Sequence, residues 1–293
     1  MKHPNVIYYK DELNDEFAGD SLIPRKIDET YWYGDNSLFF KIMRFFWYKI
    51  IAHPIAIAFI LFKYHLKIVN RSVIKPYKKQ PVFVFANHTN NLADPIIPTL
   101  VSFPHSTYIV VNANNVSIPF LRRVTHFLGA LPLPDNMAAT KNFMNTLKLR
   151  ISEGASIMIY PEAHIWPFYT KIRPFADSSF RYPIQHGCPT FCFTNTYQKR
   201  RFSKTPRIVT YVDGPFFPDE SLDRKEKQAD LRNRVYAAMC ERSKMNNVEL
   251  IKYIKVEESD NPATSATQAT QATPAKTAAL SEKVATAESN KEN

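Results

Sequence analysis

A histidine and an aspartate lie close together in a short polar segment that separates two apolar runs. The residues are His88 and Asp94, with five residues between them. A histidine held by a carboxylate can act as the general base that removes a proton from an attacking hydroxyl. The alternative is a turn rich in Asn and Asp whose histidine only packs or forms local hydrogen bonds. The residues around this pair are needed to choose between the two interpretations.

The residues around this pair predict a turn from a strand into a helix. The apolar run 81–85 before His88 is typical of a buried strand, and the run 96–101 is typical of a short buried helix. Asp94 and Pro95 form a helix-start signal, because Asp caps a helix and Pro needs no N–H at the first helical position. Ligands usually bind at such strand-to-helix turns in open α/β sheets.

The central part of the chain repeats this alternation of strand and helix. Apolar, strand-like runs occur at 81–86, 106–111, 155–160, 189–195 and 206–212. Helical patterns alternate with them at 95–103, 118–128, 137–152 and, less clearly, 174–186. A charged amphipathic helix is predicted over 221–257, either continuous or broken around Asn246-Asn247. This order predicts an α/β fold with a largely parallel sheet flanked by helices.

An aromatic and apolar segment, residues 38–68, precedes the first predicted strand. Lys49 and Lys63 enclose 13 uncharged residues, which His53-Pro54 interrupts. A simple spanning helix needs about 20 apolar residues. We therefore expect an interfacial helical hairpin that breaks near Pro54, with its basic and aromatic residues at the lipid surface. A pair of ordinary core helices is the alternative.

The charge and the cysteine content of the chain limit which partners, metal sites and cellular location are expected. The 293-residue chain has a formal net charge of +11, which predicts an anionic partner: a phosphate-bearing substrate, an acidic membrane surface or nucleic acid. No helix-turn-helix, finger or aromatic-basic sheet motif supports nucleic acid, so we do not expect that partner. The three cysteines have no metal-like spacing and are interpreted as reduced, buried thiols without a metal site. The N-terminus lacks the apolar core of a secretory signal, and a cytoplasmic location is expected.

The sequence divides into four predicted parts. These are an irregular N-terminal arm (1–37), a membrane-interface helical segment (38–70), an α/β domain with a C-terminal helix (71–258) and a low-complexity tail (259–293). The tail is nearly free of large apolar residues, so we expect it to be disordered.

Four ordered blocks resemble those of the lysophosphatidate and glycerol-phosphate acyltransferases of phospholipid synthesis, over roughly residues 80 to 215. The blocks are Asn87-His88…Asp94-Pro95, then Pro119-Phe120 leading to Gly129-Ala130-Leu131-Pro132, then Pro161-Glu162, and finally Cys188-Pro189-Thr190-Phe191. The order of the four blocks is much more specific than any one of them.

Three departures from the family pattern are visible. The family usually leaves four residues between its His and Asp, whereas five separate His88 from Asp94. An Arg that follows the second block in many members is missing, because Leu133-Pro134-Asp135 stands there. The third block, typically Pro-Glu-Gly-Thr-Arg, continues here as Ala163-His164-Ile165-Trp166. These departures affect the identity of the acceptor more than the type of reaction.

The resemblance implies an enzyme that moves a fatty acyl group from acyl-CoA or acyl-carrier protein to a hydroxyl of lysophosphatidate, a related lysophospholipid or glycerol phosphate. His88 would be the general base, oriented by Asp94, and no cofactor besides the thioester co-substrate is expected. Candidate substrate-binding residues are Glu162, Arg122, Arg123, Lys171 and Arg173. The expected location is the cytoplasmic face of the cell membrane, as a peripheral or monotopic protein on an anionic surface. The alternative is a catalytically inactive, lipid-binding member of the same fold.

Overall fold

The computed structural model describes residues 5–17, 23–119 and 121–256. Phe120 of the second block and the predicted tail from residue 259 lie outside the described residues. In the described part, nine strands are β1 (Asn5–Tyr9), β2 (Lys67–Val69), β3 (Val82–Ala86), β4 (Thr107–Val111), β5 (Ala130–Pro132), β6 (Ser156–Ile159), β7 (Thr190–Arg200), β8 (Ser203–Phe216) and β9 (Ile251–Lys255). Seven α-helices are α1 (Leu38–Arg44), α2 (His53–Tyr64), α3 (Ile97–Val101), α4 (Thr125–Leu128), α5 (Met137–Ser152), α6 (Arg181–Gln185) and α7 (Arg224–Ser243).

Seven of the strands form one largely parallel sheet. Their order is β2-β8-β7-β3-β6-β4-β5, and β7 with β8 is the antiparallel pair of the order. Helices cover both faces, which confirms the predicted α/β fold class. Because β3, β4, β5 and β6 run in the same direction, their carboxyl ends meet at one edge of the sheet. His88, two residues beyond β3, lies at this edge.

Alternate residues of the central strands enter two separate cores. Phe83 and Phe85 of β3 join the cluster that contains residues of α5 and α7. Val82 and Val84 join the opposite cluster, which contains residues of α2 and α3. This period of two is the geometric consequence of a pleated strand whose faces are both covered. The sheet edge that carries His88 is thus held by packing on both sides.

The aromatic segment forms one continuous helical run, and the predicted hairpin near Pro54 is wrong. The α1 helix passes into a π-helix, Phe45–Ala52, which passes directly into α2. Pro54 is the second residue of α2, at the point where the run changes from π-helical to α-helical. The 27-residue run is long and apolar enough to cross a membrane, and only 11% of its apolar window is buried. These properties are compatible with membrane association.

Two predictions at the chain ends are corrected. Asn5–Tyr9, inside the predicted irregular arm, is a strand that pairs in parallel with Ile251–Lys255. The amphipathic helix predicted to reach residue 257 ends at Ser243, and β9 follows it. The β-branched and aromatic residues Ile251, Tyr253 and Ile254 find a partner strand 246 positions away, which local periodicity cannot reveal. Residues 174–186 are helical only from Ser178 to Gln185.

Candidate active site

His88 and Asp94 are joined by a direct hydrogen bond. Nδ1 of His88 lies 2.8 Å from Oδ2 of Asp94. The aspartate is fully buried, whereas the histidine side chain is 14% exposed. Since the carboxylate is an acceptor, Nδ1 carries the hydrogen, and Nε2 is left with a lone pair. Among the described residues, no hydrogen bond is found for Nε2, so this atom is the one that can accept a proton from a ligand.

The turn bends so that the five-residue spacer still brings the two side chains together. The backbone N–H groups of Thr89 and Asn90 both donate to Oδ2 of Asp94, each at 2.9 Å. Oδ1 of Asn90 accepts from the N–H groups of Leu92 and Ala93 at 3.2 and 3.0 Å, which closes the far side of the turn. Asp94 therefore organises the backbone as well as the imidazole.

Two asparagines, one on strand β7, connect this strand to the turn that carries His88. The side chain of Asn87 donates to the backbone oxygen of Asn195 at 3.0 Å and accepts from its N–H at 2.8 Å. Asn195 Nδ2 lies 3.4 Å from Oδ1 of Asp94. Further along β7, the hydroxyl of Tyr197 donates to the backbone oxygen of Thr89 at 3.1 Å. These buried amide contacts fix the turn without any regular secondary structure.

Tyr160 packs directly on the candidate base. Its ring stacks on the imidazole of His88 with centroids 4.3 Å apart and planes inclined by 21°. Its hydroxyl donates to the backbone oxygen of Asp94 at 2.6 Å. Burial, and next the negative charge of Asp94, raises the pKa of Tyr160 well above its ordinary value, so the residue stays a neutral donor. One face of the imidazole is thereby covered and its orientation restricted.

Glu162 connects the third block to the first. Its Oε2 accepts from the backbone N–H of His88 at 3.1 Å, and its Oε1 accepts from the backbone N–H of Arg173 at 3.2 Å. The guanidinium of Arg173 lies 3.6 Å from the carboxylate. Burial raises the pKa of Glu162, while the charge of Arg173 and these N–H groups act in the opposite direction. Glu162 therefore orients the side chain of Arg173 and the backbone of His88, and both of its carboxylate oxygens accept hydrogen bonds within the protein.

Arg173 was predicted to bind a substrate phosphate, but its position does not fit this role. It is fully buried, and its guanidinium donates to the backbone oxygens of Glu162, His164 and Glu12. Trp166 covers it at 4.9 Å from the ring centroid. An arginine enclosed in this way stabilises the loop that follows β6 and is not free for a ligand.

The other predicted cations are accessible. Arg122 and Arg123 line a cleft of about 600 Å³ together with Arg25 and Ser117. Ser117, Arg122 and Arg123 follow the carboxyl end of β4, which is two strands from β3 at the same edge of the sheet. With strands spaced about 4.8 Å apart, the ends of β3 and β4 are roughly 10 Å apart. Lys171 is exposed on the loop after β6.

The chain was compared with known families and structures. The acyltransferase family model matches residues 65–194, which include His88, Asp94 and Glu162. Residues 65–194 form an acyltransferase domain. The predicted family and the prediction of an enzyme that transfers acyl groups are confirmed at this level.

One solved structure is similar to this chain. It is that of the 1-acyl-sn-glycerophosphate (LPA) acyltransferase PlsC from Thermotoga maritima. The two share 16% sequence identity with a TM-score of 0.49, over 72% of this chain and 81% of that chain. No curated protein matches the chain.

Several residues of this acyltransferase domain's site were missed by sequence reasoning. Asn87 stood inside a quoted block and Tyr160 at the end of the predicted strand 155–160, both without a role. Asn195 ended the predicted strand 189–195, and Tyr197 lay two residues beyond it. A polar amide in an otherwise apolar, buried strand run was the available signal for Asn195. Within the part of the chain that the structure describes, no group of His, Cys, Asp and Glu is arranged to hold a metal ion.

Proposed function

We propose that the acyltransferase domain transfers a fatty acyl group from a thioester donor, acyl-CoA or acyl-carrier protein, to a hydroxyl of lysophosphatidate or a related lysophospholipid or glycerol phosphate. The observation that supports this best is the 2.8 Å contact between Nδ1 of His88 and Oδ2 of Asp94, in a histidine whose Nε2 has no hydrogen bond among the described residues. This arrangement suits a general base for an alcohol.

The proposed reaction needs no covalent enzyme intermediate. Nε2 of His88 removes the proton of the acceptor hydroxyl while the oxygen attacks the thioester carbonyl carbon. The tetrahedral intermediate collapses, the C–S bond breaks, and the imidazolium returns the proton to the leaving sulfur. Asp94 stabilises the imidazolium and keeps the ring in the correct tautomer. A general base of this kind contributes roughly 10²–10⁴ in rate.

The cleft with three arginines is the proposed site for the acceptor's phosphate. Arg122 and Arg123 were expected to serve this role, and Arg25 from the N-terminal arm joins them. Guanidinium groups bind phosphate oxygens through paired hydrogen bonds. Ser117 of this cleft follows the carboxyl end of β4, at the sheet edge that carries His88, and a phosphate bound beside it would direct the glycerol hydroxyl toward Nε2.

Membrane attachment is proposed to be monotopic, on the cytoplasmic face. Buried Phe40 and Arg44 in the first half of the helical run, and Ile60 and Tyr64 near its end, pack against the body. The guanidinium of Arg44 donates to the backbone oxygens of Phe127 and Thr107. A helix anchored at both ends lies along the domain and offers its opposite face to lipid. Exposed apolar residues on the run include Leu38, Phe39, Ile42, Phe45, Ile50, Ile55, Leu61 and Phe62.

The test is thiol release by the purified full-length protein. Acyl-CoA and acyl-carrier protein would each be supplied with a panel of lysophospholipids and glycerol phosphate. We expect at least one pair to give His88-dependent turnover, and His88→Ala to remove it with the fold intact by circular dichroism. Turnover by no pair, with lysophospholipid binding preserved, would favour the inactive lipid-binding alternative.

A further inference from the structure

The hairpin formed by β7 and β8 extends far beyond the end of the central strand β3. Phe193 of β7 is paired with Ala86, the last residue of β3, and β7 continues for seven more residues to Arg200. At about 3.3 Å per residue the tip projects roughly 20 Å past the end of β3. Since β3 and β7 are parallel, the tip projects from the sheet edge that carries His88.

The tip is strongly cationic and carries an exposed aromatic side chain. A cleft of about 710 Å³ at its base is lined by Lys67, Lys199, Arg200, Arg201 and Arg207. Within the described residues no acidic side chain lines this cleft. Phe202, at the turn between the strands, is 90% exposed. An apolar ring in this position, surrounded by positive charge, has no role in the packing of the domain.

A neighbouring histidine reports the positive potential of this cleft. Nδ1 of His65 lies 2.9 Å from the backbone oxygen of Leu61, and its Nε2 lies 2.6 Å from the guanidinium of Arg200. Desolvation lowers the pKa of His65, and the charges of Arg200 and Arg207 lower it further. A neutral imidazole therefore accepts from Arg200 and fixes that guanidinium in place.

The hairpin is joined directly to the end of the apolar helical run. Arg200 donates to the backbone oxygen of Lys63 at 3.2 Å, and Phe62, one residue earlier, is 81% exposed. The hydroxyl of Tyr64, one residue later, donates to Asn90 of the catalytic turn at 3.3 Å. The exposed face of the run, the cationic cleft and the site around His88 are thus rigidly connected.

We propose that this hairpin tip is a second membrane-contact surface, which binds the phosphate headgroups of an anionic lipid bilayer through Lys199, Arg201 and Arg207, with Phe202 inserted among the headgroups. The surface rests on the proposed membrane attachment of the helical run and is independent of the acyl-transfer reaction. Together with that run, it would hold the sheet edge carrying His88 toward the bilayer, from which a lysophospholipid enters.

A bilayer fits this surface better than nucleic acid does. The cations lie beside the exposed apolar residues Phe202, Phe62 and Leu61, which gain free energy in a lipid interface but not along a phosphate backbone. Binding of nucleic acid without sequence preference normally uses several aromatic rings along a groove, whereas Phe202 is the exposed ring of this tip. Charge next to apolar surface is the pattern of an interfacial protein.

The experiment is vesicle co-sedimentation of the full-length protein. Neutral phosphatidylcholine vesicles would be compared with vesicles that also contain phosphatidylglycerol, at low and high salt. Each removed cation near an anionic surface weakens binding by roughly fivefold. We expect K199Q/R201Q/R207Q to weaken binding to the anionic vesicles by about tenfold to 100-fold, with little effect on neutral vesicles. F202S should weaken binding to both kinds.

A matched control removes the same charge elsewhere. Lys141 and Lys148 of α5 and Lys225 of α7 are exposed, and K141Q/K148Q/K225Q should bind anionic vesicles as the wild type does. Equal loss in both triple variants, or no loss in the hairpin variant, would overturn the proposal. Loss of binding to a DNA oligonucleotide without loss of vesicle binding would also overturn it, in favour of nucleic acid.

A second measurement, turnover in detergent micelles, tests the acyl-transfer proposal separately from the membrane-contact proposal. Turnover measured in detergent micelles does not require a bilayer, so the hairpin variant should keep wild-type turnover there, whereas His88→Ala should not. A protein without any turnover can still show the hairpin-dependent vesicle binding, and the two proposals can therefore fail independently.

Discussion

The carboxylate of Glu162 accepts a hydrogen bond from the backbone N–H of His88 at 3.1 Å, across 74 positions of sequence. The same carboxylate accepts from the backbone of Arg173 and faces its guanidinium. The third block of the acyltransferase domain thus holds the base through its backbone, while Asp94 holds it through its ring. The candidate base is fixed at two independent points.

Replacing Glu162 should affect stability and turnover together. In Glu162→Gln the buried charge of Arg173 loses its partner, and removing one member of a buried ion pair typically costs about 3–5 kcal/mol. We expect a lower free energy of unfolding in urea and a reduced kcat, because the backbone of His88 is held less firmly. Glu162→Gln combined with Arg173→Met should recover part of the stability. A single variant as stable as the wild type would argue against the ion pair.

Asp94→Asn should reduce turnover with a smaller effect on the fold. Oδ2 of Asp94 accepts from Thr89, Asn90 and His88, and an amide oxygen in its place can keep these three hydrogen bonds. The amide carries no negative charge, however, so it cannot stabilise the imidazolium that forms when Nε2 takes the proton. We expect kcat to fall by about 10²–10⁴, the usual contribution of a general base. Asn91, exposed in the same turn, provides the control, since Asn91→Ser should leave kcat unchanged. Equal kcat in the wild type and Asp94→Asn would exclude the proposed role of the Asp94 charge.

Removal of residues 1–17 should loosen the loop that contains Glu162. The backbone oxygen of Asp15 accepts from Nε1 of Trp166 at 2.7 Å, and that of Glu12 accepts from Arg173 at 3.3 Å. A buried donor left without a partner costs about 1–3 kcal/mol. We expect faster amide hydrogen exchange in residues 162–173 and a lower free energy of unfolding. Tyr8→Ser, at an exposed position of β1, should leave the exchange rates as they are in the wild type.

Acid should destabilise the protein partly through His126. Burial, and next the positive charge of Arg25, lowers the pKa of His126 to about 4, whereas an unfolded histidine has a pKa of about 6.5. Between these values the unfolded state binds more protons, so the free energy of unfolding decreases as the pH falls through that range. Urea unfolding at several pH values should show a shallower pH dependence for His126→Gln than for the wild type. Parallel curves would assign the acid sensitivity to other groups.

Local patterns were sufficient for much of the fold. The helix 137–152 was predicted with its observed bounds, because its apolar residues recur at helical spacing and Gly154 stands just beyond its end. The central strands were placed within a few residues, since parallel strands buried on both faces read as continuous apolar runs. The hairpin near Pro54 failed because the helical run continues through this proline, at the point where its π-helical part becomes α-helical. The final strand failed because its partner lies at the other end of the chain.

The sequence by itself determined the chemistry of the candidate site: a histidine and an aspartate in a strand-to-helix turn, in the order of blocks that the acyltransferase family model also matches. Only the tertiary structure decided how each residue is used. Arg173 was expected at a phosphate but is buried against Glu162, whereas Arg25, Asn195 and Tyr197 were brought to the site from distant segments. The reason is that residue type and spacing define which groups can react or bind, while burial and long-range pairing define which of their atoms remain available.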